Sequence, residues 1–179
     1  MVKTEENMRQ NEENRKLAYM ALEQLKKSIQ ELYKTEKNYF TPVEGRERSI
    51  VFRIAHILAN KIELDKNLNT NDVFVDIEAN RCNGDIKRIN LLHVIRPDLS
   101  VHKREGTGYL VVEFKCGNES EKDDYVKLRA LTKEKDEFYS DYSPTYKLGA
   151  FIRLKNSGVE YTLFKDGEIV RPEKQKFFR

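Results

Sequence analysis

Apolar residues near the start of the chain recur at alternating spacings of four and three. They are Ala18, Leu22, Leu25, Ile29 and Leu32. This spacing places them on one narrow stripe of a helix, so we predict a long helix from about Glu5 to Lys37. The stripe has two interpretations. We favour a helix that lies across its own domain, and the alternative is a helix that forms a homodimer.

A second helical pattern covers Glu47–Leu64, after a break at residues 38–45. Its apolar residues recur at helical spacing, which predicts a strongly amphipathic helix. Glu47 precedes Ile50 and Val51 by three and four positions, so its carboxylate continues the apolar face of the helix. An inward carboxylate is a candidate functional group, although the helix dipole also favours an acid at a helix start.

Strand-like patterns dominate the rest of the chain, with one further helical pattern from Glu121 to Phe138. Short alternating or apolar runs lie at Val73–Ala79, Lys147–Lys155, Val159–Lys165 and Ile169–Val170. Arg81 to Asn90 is predicted to be a polar loop. The order predicts an α/β fold, a mixed sheet of four to five strands flanked by helices. We assign residues 1–40 to a helical extension and residues 41–179 to this domain.

A β-hairpin is predicted over residues 96–116, because Glu105-Gly106 near its middle suits a tight turn. Side chains alternate along a strand, so Glu113 and Lys115 share one face. A turn at Gly106 sets position 98 opposite position 113, which brings Asp98 beside Glu113. The sequence therefore predicts two carboxylates and a lysine at one place on the hairpin.

Adjacent carboxylates such as Asp98 and Glu113 repel unless one is protonated or a cation lies between them. Mg²⁺ suits such a pair, because it takes one or two protein carboxylates together with waters and phosphate oxygens. We therefore predict Asp98 and Glu113 as metal ligands, and Glu47 as a direct or water-bridged third ligand. Lys115 would stabilise charge on a phosphate under attack. Alternatively, these residues form surface ion pairs of little energetic value.

The segment RPDLSVHKREGTGYLVVEFK, residues 96–115, resembles the PD-(D/E)XK motif of the restriction-endonuclease-like superfamily. Asp98, Glu113 and Lys115 stand at the motif positions. Glu47 resembles the first-helix glutamate of that family, and residues 124–128 resemble the helix that follows the motif. The similarity spans roughly residues 44–154, and it is greatest to small bacterial members of the superfamily.

The resemblance implies a metal-dependent endonuclease that hydrolyses phosphodiester bonds in nucleic acid, with DNA as the expected substrate. Its catalytic residues would be Asp98, Glu113, Lys115 and Glu47, and its cofactor Mg²⁺, for which Mn²⁺ is expected to substitute. The alternative function is a catalytically inactive nuclease-like fold that serves as a nucleic-acid-binding or assembly protein.

Basic residues outside the motif are the predicted contacts to backbone phosphates, which need charge and reach more than fixed geometry. They are Lys127 in the helix after the motif, and Arg81, Lys87, Arg88 and Lys103 in the loop and the hairpin. For Lys127 the other interpretation is an ion pair with Asp123 or Asp124 on the same helix. For the four loop and hairpin residues it is solvated loop charge.

The composition permits a polyanionic partner without requiring one, since the net charge is only +3 and 35% of residues are charged. No apolar run is long enough to cross a bilayer, and the first residues are too polar for a secretory signal. We therefore predict no membrane partner and a cytoplasmic location. The two cysteines, Cys82 and Cys116, are too isolated to suggest a zinc site or a disulfide framework.

Overall fold

The computed structural model describes residues 5–36, 46–69, 72–78, 81–82, 85–86, 96–103, 107–133 and 145–176. The helices are α1 (Glu5–Thr35), α2 (Glu47–Leu64), α3 (Lys66–Asn69) and α4 (Lys122–Thr132). The strands are β1 (Val73–Ile77), β2 (Arg81–Cys82), β3 (Asp85–Ile86), β4 (Leu99–Lys103), β5 (Gly108–Cys116), β6 (Tyr146–Lys155), β7 (Gly158–Lys165) and β8 (Glu168–Lys176).

Six of these strands form one mixed sheet in the order β1-β4-β5-β6-β7-β8. The neighbours are antiparallel except for β5 and β6, which run parallel. A parallel pair needs a crossover connection, and α4 lies in that connection and packs against β6. The α/β class is confirmed. The predicted number of strands, four to five, was too low.

The end of the chain and the segment after β1 account for two differences from the prediction. β8 extends from Glu168 to Lys176, far beyond the apolar signal at Ile169–Val170. Within the described residues it pairs only with β7, as an edge strand does, so it needs little apolar alternation and accommodates Pro172. β2 and β3 form a separate two-stranded sheet where a polar loop was predicted. Strands of two residues are too short to show a period.

The apolar stripe of α1 is buried within this one chain. Leu22, Leu25, Ile29 and Leu32 belong to the same hydrophobic cluster as the buried residues of α2 and one face of the sheet. The favoured interpretation, a helix that lies across its own domain, is therefore confirmed. The predicted homodimer through the N-terminal helix is not tested by this single chain and stays a prediction. The predicted boundary at residue 40 lies outside the described residues.

The opposite face of the sheet is covered by α4. Its smaller hydrophobic cluster contains Val111, Leu128, Leu131, Tyr146, Phe151 and Phe164. Gly149 allows α4 to pack closely against β6, because a Cβ atom at this position would lie 2.9 Å from Thr132 Cγ2. The helix predicted to reach Phe138 ends at Thr132, since Lys133 has an extended backbone. Strand β5 thus has helices packed on both of its faces. Among the described residues, no helix has the length and apolar character that crossing a membrane requires.

Candidate active site

Asp98 and Glu113 meet at the start of β4. Strands β4 and β5 pair with Leu99 opposite Val112, so the position before Leu99 falls opposite Glu113. The Asp98 carboxylate accepts a hydrogen bond at 2.7 Å from the backbone N–H of Phe114 in β5. The predicted register is therefore confirmed at this end of the hairpin, where the two acids lie side by side, but the pairing shifts by one residue between Val101 and His102.

Glu113 is a buried acid, only 1% exposed. Its Oε2 atom lies 3.3 Å from Lys127 Nζ, while its Oε1 atom is buried and accepts no hydrogen bond. Burial, and next the charge of Asp98, raise the pKa of Glu113 to about 9, although Lys127 opposes the shift. Glu113 therefore holds its proton at neutral pH unless further positive charge is supplied.

Two lysines link Glu47, Asp124 and Glu113 in one series of ion pairs. Lys115 Nζ lies 3.7 Å from Glu47 Oε1 and 3.3 Å from Asp124 Oδ2. Lys127 Nζ lies 3.0 Å from Asp124 Oδ1 and 3.3 Å from Glu113 Oε2. Burial lowers the pKa of both lysines, but the neighbouring acids outweigh it, so both pKa values lie above the ordinary value. Both lysines therefore stay charged.

Glu47 is the first residue of α2, and its pair with Lys115 is the last member of this series of ion pairs. Burial raises its pKa to about 7, and the charge of Lys115 limits the shift. Asp98 adds to the shift by repulsion. The glutamate that the sequence placed on an apolar helix face therefore does reach the other predicted site residues.

Asp124 is the site residue that the sequence analysis missed. It is 3% exposed and lies between the two lysines. The sequence does contain a sign of this position, because Asp124 continues the helical spacing of Leu128 and Leu131. In the structure all three residues face the sheet. The reasoning that singled out Glu47 would have found this second inward acid.

Only two of the predicted phosphate contacts, Lys127 and Lys103, have described side chains, and these two lie apart. Lys127 lies among the acids, where it pairs with Glu113 and Asp124. Lys103 lies at the other end of β4 from Asp98, about 16 Å along the strand, so the structure does not bring it to the site. Arg81 is in β2, but its side chain lies outside the described residues. Lys87, Arg88 and the predicted turn at Glu105-Gly106 also lie outside them.

The donor chemistry of the cluster fits a divalent cation. Glu113 Oε1 and Asp124 Oδ2 are buried carboxylate oxygens that accept no hydrogen bond, although Lys115 lies 3.3 Å from the latter. Among the described residues, no group of three His, Cys, Asp or Glu side chains is arranged to hold a metal ion. The predicted set of Glu47, Asp98 and Glu113 is therefore not preformed. The site suits a cation that binds two protein carboxylates and takes its remaining ligands from water or phosphate oxygens, as Mg²⁺ does.

A cleft of 540 Å³ lies beside the acids, between the first turns of α2 and the end of β1. Glu47 and Asp98 line it, together with Phe52 of α2 and Ile77 of β1. A ligand in this cleft would therefore contact two of the four predicted catalytic residues.

Neither a family model nor a curated protein matches this chain. Among solved structures, a chain in the cryo-EM structure of a DrdV–DNA complex is similar, with a TM-score of 0.45 and 12% sequence identity. The similarity covers 87% of this chain and 12% of that chain, so this chain spans only a small part of the protein it matches. A likeness at this level does not assign the chain to a family.

Proposed function

We propose that this protein is a metal-dependent endonuclease of the PD-(D/E)XK type, which hydrolyses phosphodiester bonds in nucleic acid and acts on DNA. One observation carries the proposal. Asp98 and Glu113 pair across β4 and β5, and Lys115 extends from the same face of β5 to within 3.7 Å of Glu47. Paired acids with an adjacent fixed cation are the groups that phosphodiester hydrolysis requires.

Each residue of the site has a role in this proposal. A bound Mg²⁺ or Mn²⁺ would polarise the scissile phosphate and lower the pKa of water. Asp98 and Glu113 would hold the cation through their adjacent carboxylates. Lys115, kept charged by Asp124 and Glu47, would stabilise the negative charge that develops on the phosphate oxygens. Glu47, with a pKa of about 7, is suited to exchange a proton with water near neutral pH.

A second candidate function is a nuclease-like protein that binds nucleic acid or assembles with partners without turnover. The position of Lys127 favours it, because this lysine already supplies positive charge to Glu113 at 3.3 Å. A buried acid with a lysine partner is more stable in the absence of metal than one without. Turnover distinguishes the two candidates.

The test is a cleavage assay on duplex DNA, single-stranded DNA and RNA, each with Mg²⁺, with Mn²⁺ or with EDTA. We expect metal-dependent cleavage of DNA that falls about a hundredfold or more in Asp98→Ala and in Lys115→Ala. The matched controls are Asp123→Ala, which removes an exposed acid one position before Asp124, and Lys174→Ala, which removes an exposed lysine on β8. Both controls should cleave as the wild type does. Equal background in all five proteins would support binding without turnover.

A further inference from the structure

The cleft beside the acids has a second set of side chains that hydrolysis itself does not use. Its more buried end is formed by Glu47 and Asp98. Its exposed wall comes from α2 and the end of β1, and its residues are Arg48, Ser49, Phe52, Arg53, Ile77 and Glu78. The first pair belongs to the candidate active site. The exposed wall has no role in the reaction, so its chemistry indicates what the cleft binds.

Two large apolar side chains are exposed in this wall. Phe52 is 61% exposed and Ile77 is 40% exposed. Exposure of an aromatic ring forgoes the stabilisation that burial would give. Single exposed apolar residues are common, but two that line one concave surface beside reactive groups indicate a binding site. The flat ring of Phe52 is a surface on which a planar group can stack.

Two arginines flank Phe52 along the same helix. Arg48 Nε lies 3.1 Å from Glu78 Oε1, and Arg53 pairs with Glu36, but both arginines are exposed. Exposed ion pairs contribute little free energy, so a phosphate can compete for these guanidinium groups. Guanidinium also matches the geometry of phosphate oxygens. The wall therefore presents one aromatic surface between two phosphate-binding groups.

We propose that this cleft binds an unpaired nucleotide of a single-stranded segment, with its base on Phe52 and its flanking phosphates at Arg48 and Arg53. The proposal rests on the proposed function and deepens it, because the bound strand would lead directly to Asp98. A base inside a duplex cannot stack on a protein ring without leaving its own stack. Stacking on aromatic side chains beside basic groups is how proteins bind single strands. The preferred substrate is therefore a single strand or a duplex with an unpaired end.

Binding in EDTA tests the cleft without cleavage. The probe is a fluorescently labelled oligothymidylate of about 12 nucleotides, titrated with the full chain and followed by anisotropy. We expect Phe52→Ala to weaken binding about tenfold, and Phe52→Trp to retain wild-type affinity. An Arg48→Gln, Arg53→Gln double variant should also bind less tightly and show a weaker dependence on salt.

The control is Leu64→Ala, which removes another exposed apolar side chain at the far end of α2. It should leave the affinity unchanged. Circular dichroism melting should give the same Tm for Phe52→Ala as for wild type, because Phe52 is exposed. The proposal is overturned if wild type does not bind the probe, if Phe52→Ala binds like wild type, or if a blunt hairpin duplex binds as tightly as the single strand.

The two proposals fail in different ways. Cleavage that requires Asp98 but does not change in Phe52→Ala, together with unchanged oligothymidylate affinity, would refute the cleft and leave the nuclease. Binding that depends on Phe52, with no cleavage under any metal, would refute the nuclease and leave the cleft.

Discussion

The two faces of strand β5 are both buried, but the consequences of burial differ. Towards α1 and α2, Leu110, Val112 and Phe114 are fully buried in the larger hydrophobic cluster. Towards α4, the buried Glu113 lies on the same face as Lys115. Apolar burial stabilises the fold roughly in proportion to its area. Burial of Glu113 instead raises its pKa to about 9 and opposes folding whenever the carboxylate is ionised. The face towards α1 and α2 is apolar, whereas the face towards α4 combines apolar contacts with charged groups whose burial costs stability.

The largest effect is expected on the apolar face, from Leu25→Ala in α1. Leu25 is fully buried, so the truncation removes apolar contacts and leaves a cavity. We expect the free energy of unfolding, measured by urea denaturation, to fall by about 2–5 kcal/mol.

The matched control on the same helix is Met8→Ala, because Met8 is exposed. It should change the free energy of unfolding by less than about 0.5 kcal/mol. If Leu25→Ala were no less stable than Met8→Ala, α1 would not belong to the core of the sheet.

A smaller loss of stability is expected on the charged face, from Asp124→Asn. The substitution keeps the shape of the side chain but removes the charge that lies between Lys115 and Lys127. Asparagine still offers an oxygen at this position but no longer compensates the two lysine charges, so we expect the free energy of unfolding to fall by about 2 kcal/mol. Urea denaturation at pH 7 measures it.

Asp123→Asn is the control for Asp124→Asn, because it makes the same chemical change at the neighbouring exposed position. A surface change of this kind should stay within about 0.5 kcal/mol. Equal stability of the two variants would mean that the chain of ion pairs contributes nothing to folding.

The last effect is a change in the pH dependence of stability, and it has the opposite sign. Since the pKa of Glu113 is about 9 in the folded state and 4.5 is the ordinary value, the folded chain holds a proton that the unfolded chain releases between these two values. The contribution of Glu113 to stability is therefore greatest below about pH 4.5 and is lost as the pH rises towards 9. Glu113→Gln removes this titration, so in EDTA its free energy of unfolding should exceed that of wild type at pH 8, and by more than it does at pH 5.

The pH dependence is measured by urea denaturation of both proteins from pH 5 to pH 9. Glu47, with a pKa of about 7, contributes a slope of the same sign, and that slope should remain in Glu113→Gln. Parallel curves for the two proteins would contradict the assignment of the steeper slope to Glu113.

Long periodic segments and the hairpin register could be predicted from the sequence. The start and end of α2 coincide with the apolar pattern, because its inner and outer faces differ strongly. The pairing of Asp98 with Glu113 follows from strand alternation and the position of the turn, both of which are local properties. Their roles in catalysis and the identity of the metal stay predictions.

The structural features that the sequence analysis did not predict depend on tertiary contacts. β8 contains charged residues and Pro172, and only its pairing with β7 identifies it as a strand. The contact between Lys127 and Glu113 joins α4 to β5, and their separation in sequence gives no sign of it. The cleft beside Phe52 is formed by α2 and β1 together. Such features arise when elements pack, so a pattern within one element cannot predict them.

The position of α1 in the core has a consequence for synthesis of the chain. Its apolar stripe is buried with β5 and β6, but Gly108, the first residue of β5, follows Thr35 by 73 positions. At ribosomal rates of about 5–20 residues per second, those strands emerge several seconds after the helix. During this interval the nascent helix has no sheet to cover it. We therefore expect a chaperone that recognises amphipathic helices to bind this segment before release from the ribosome.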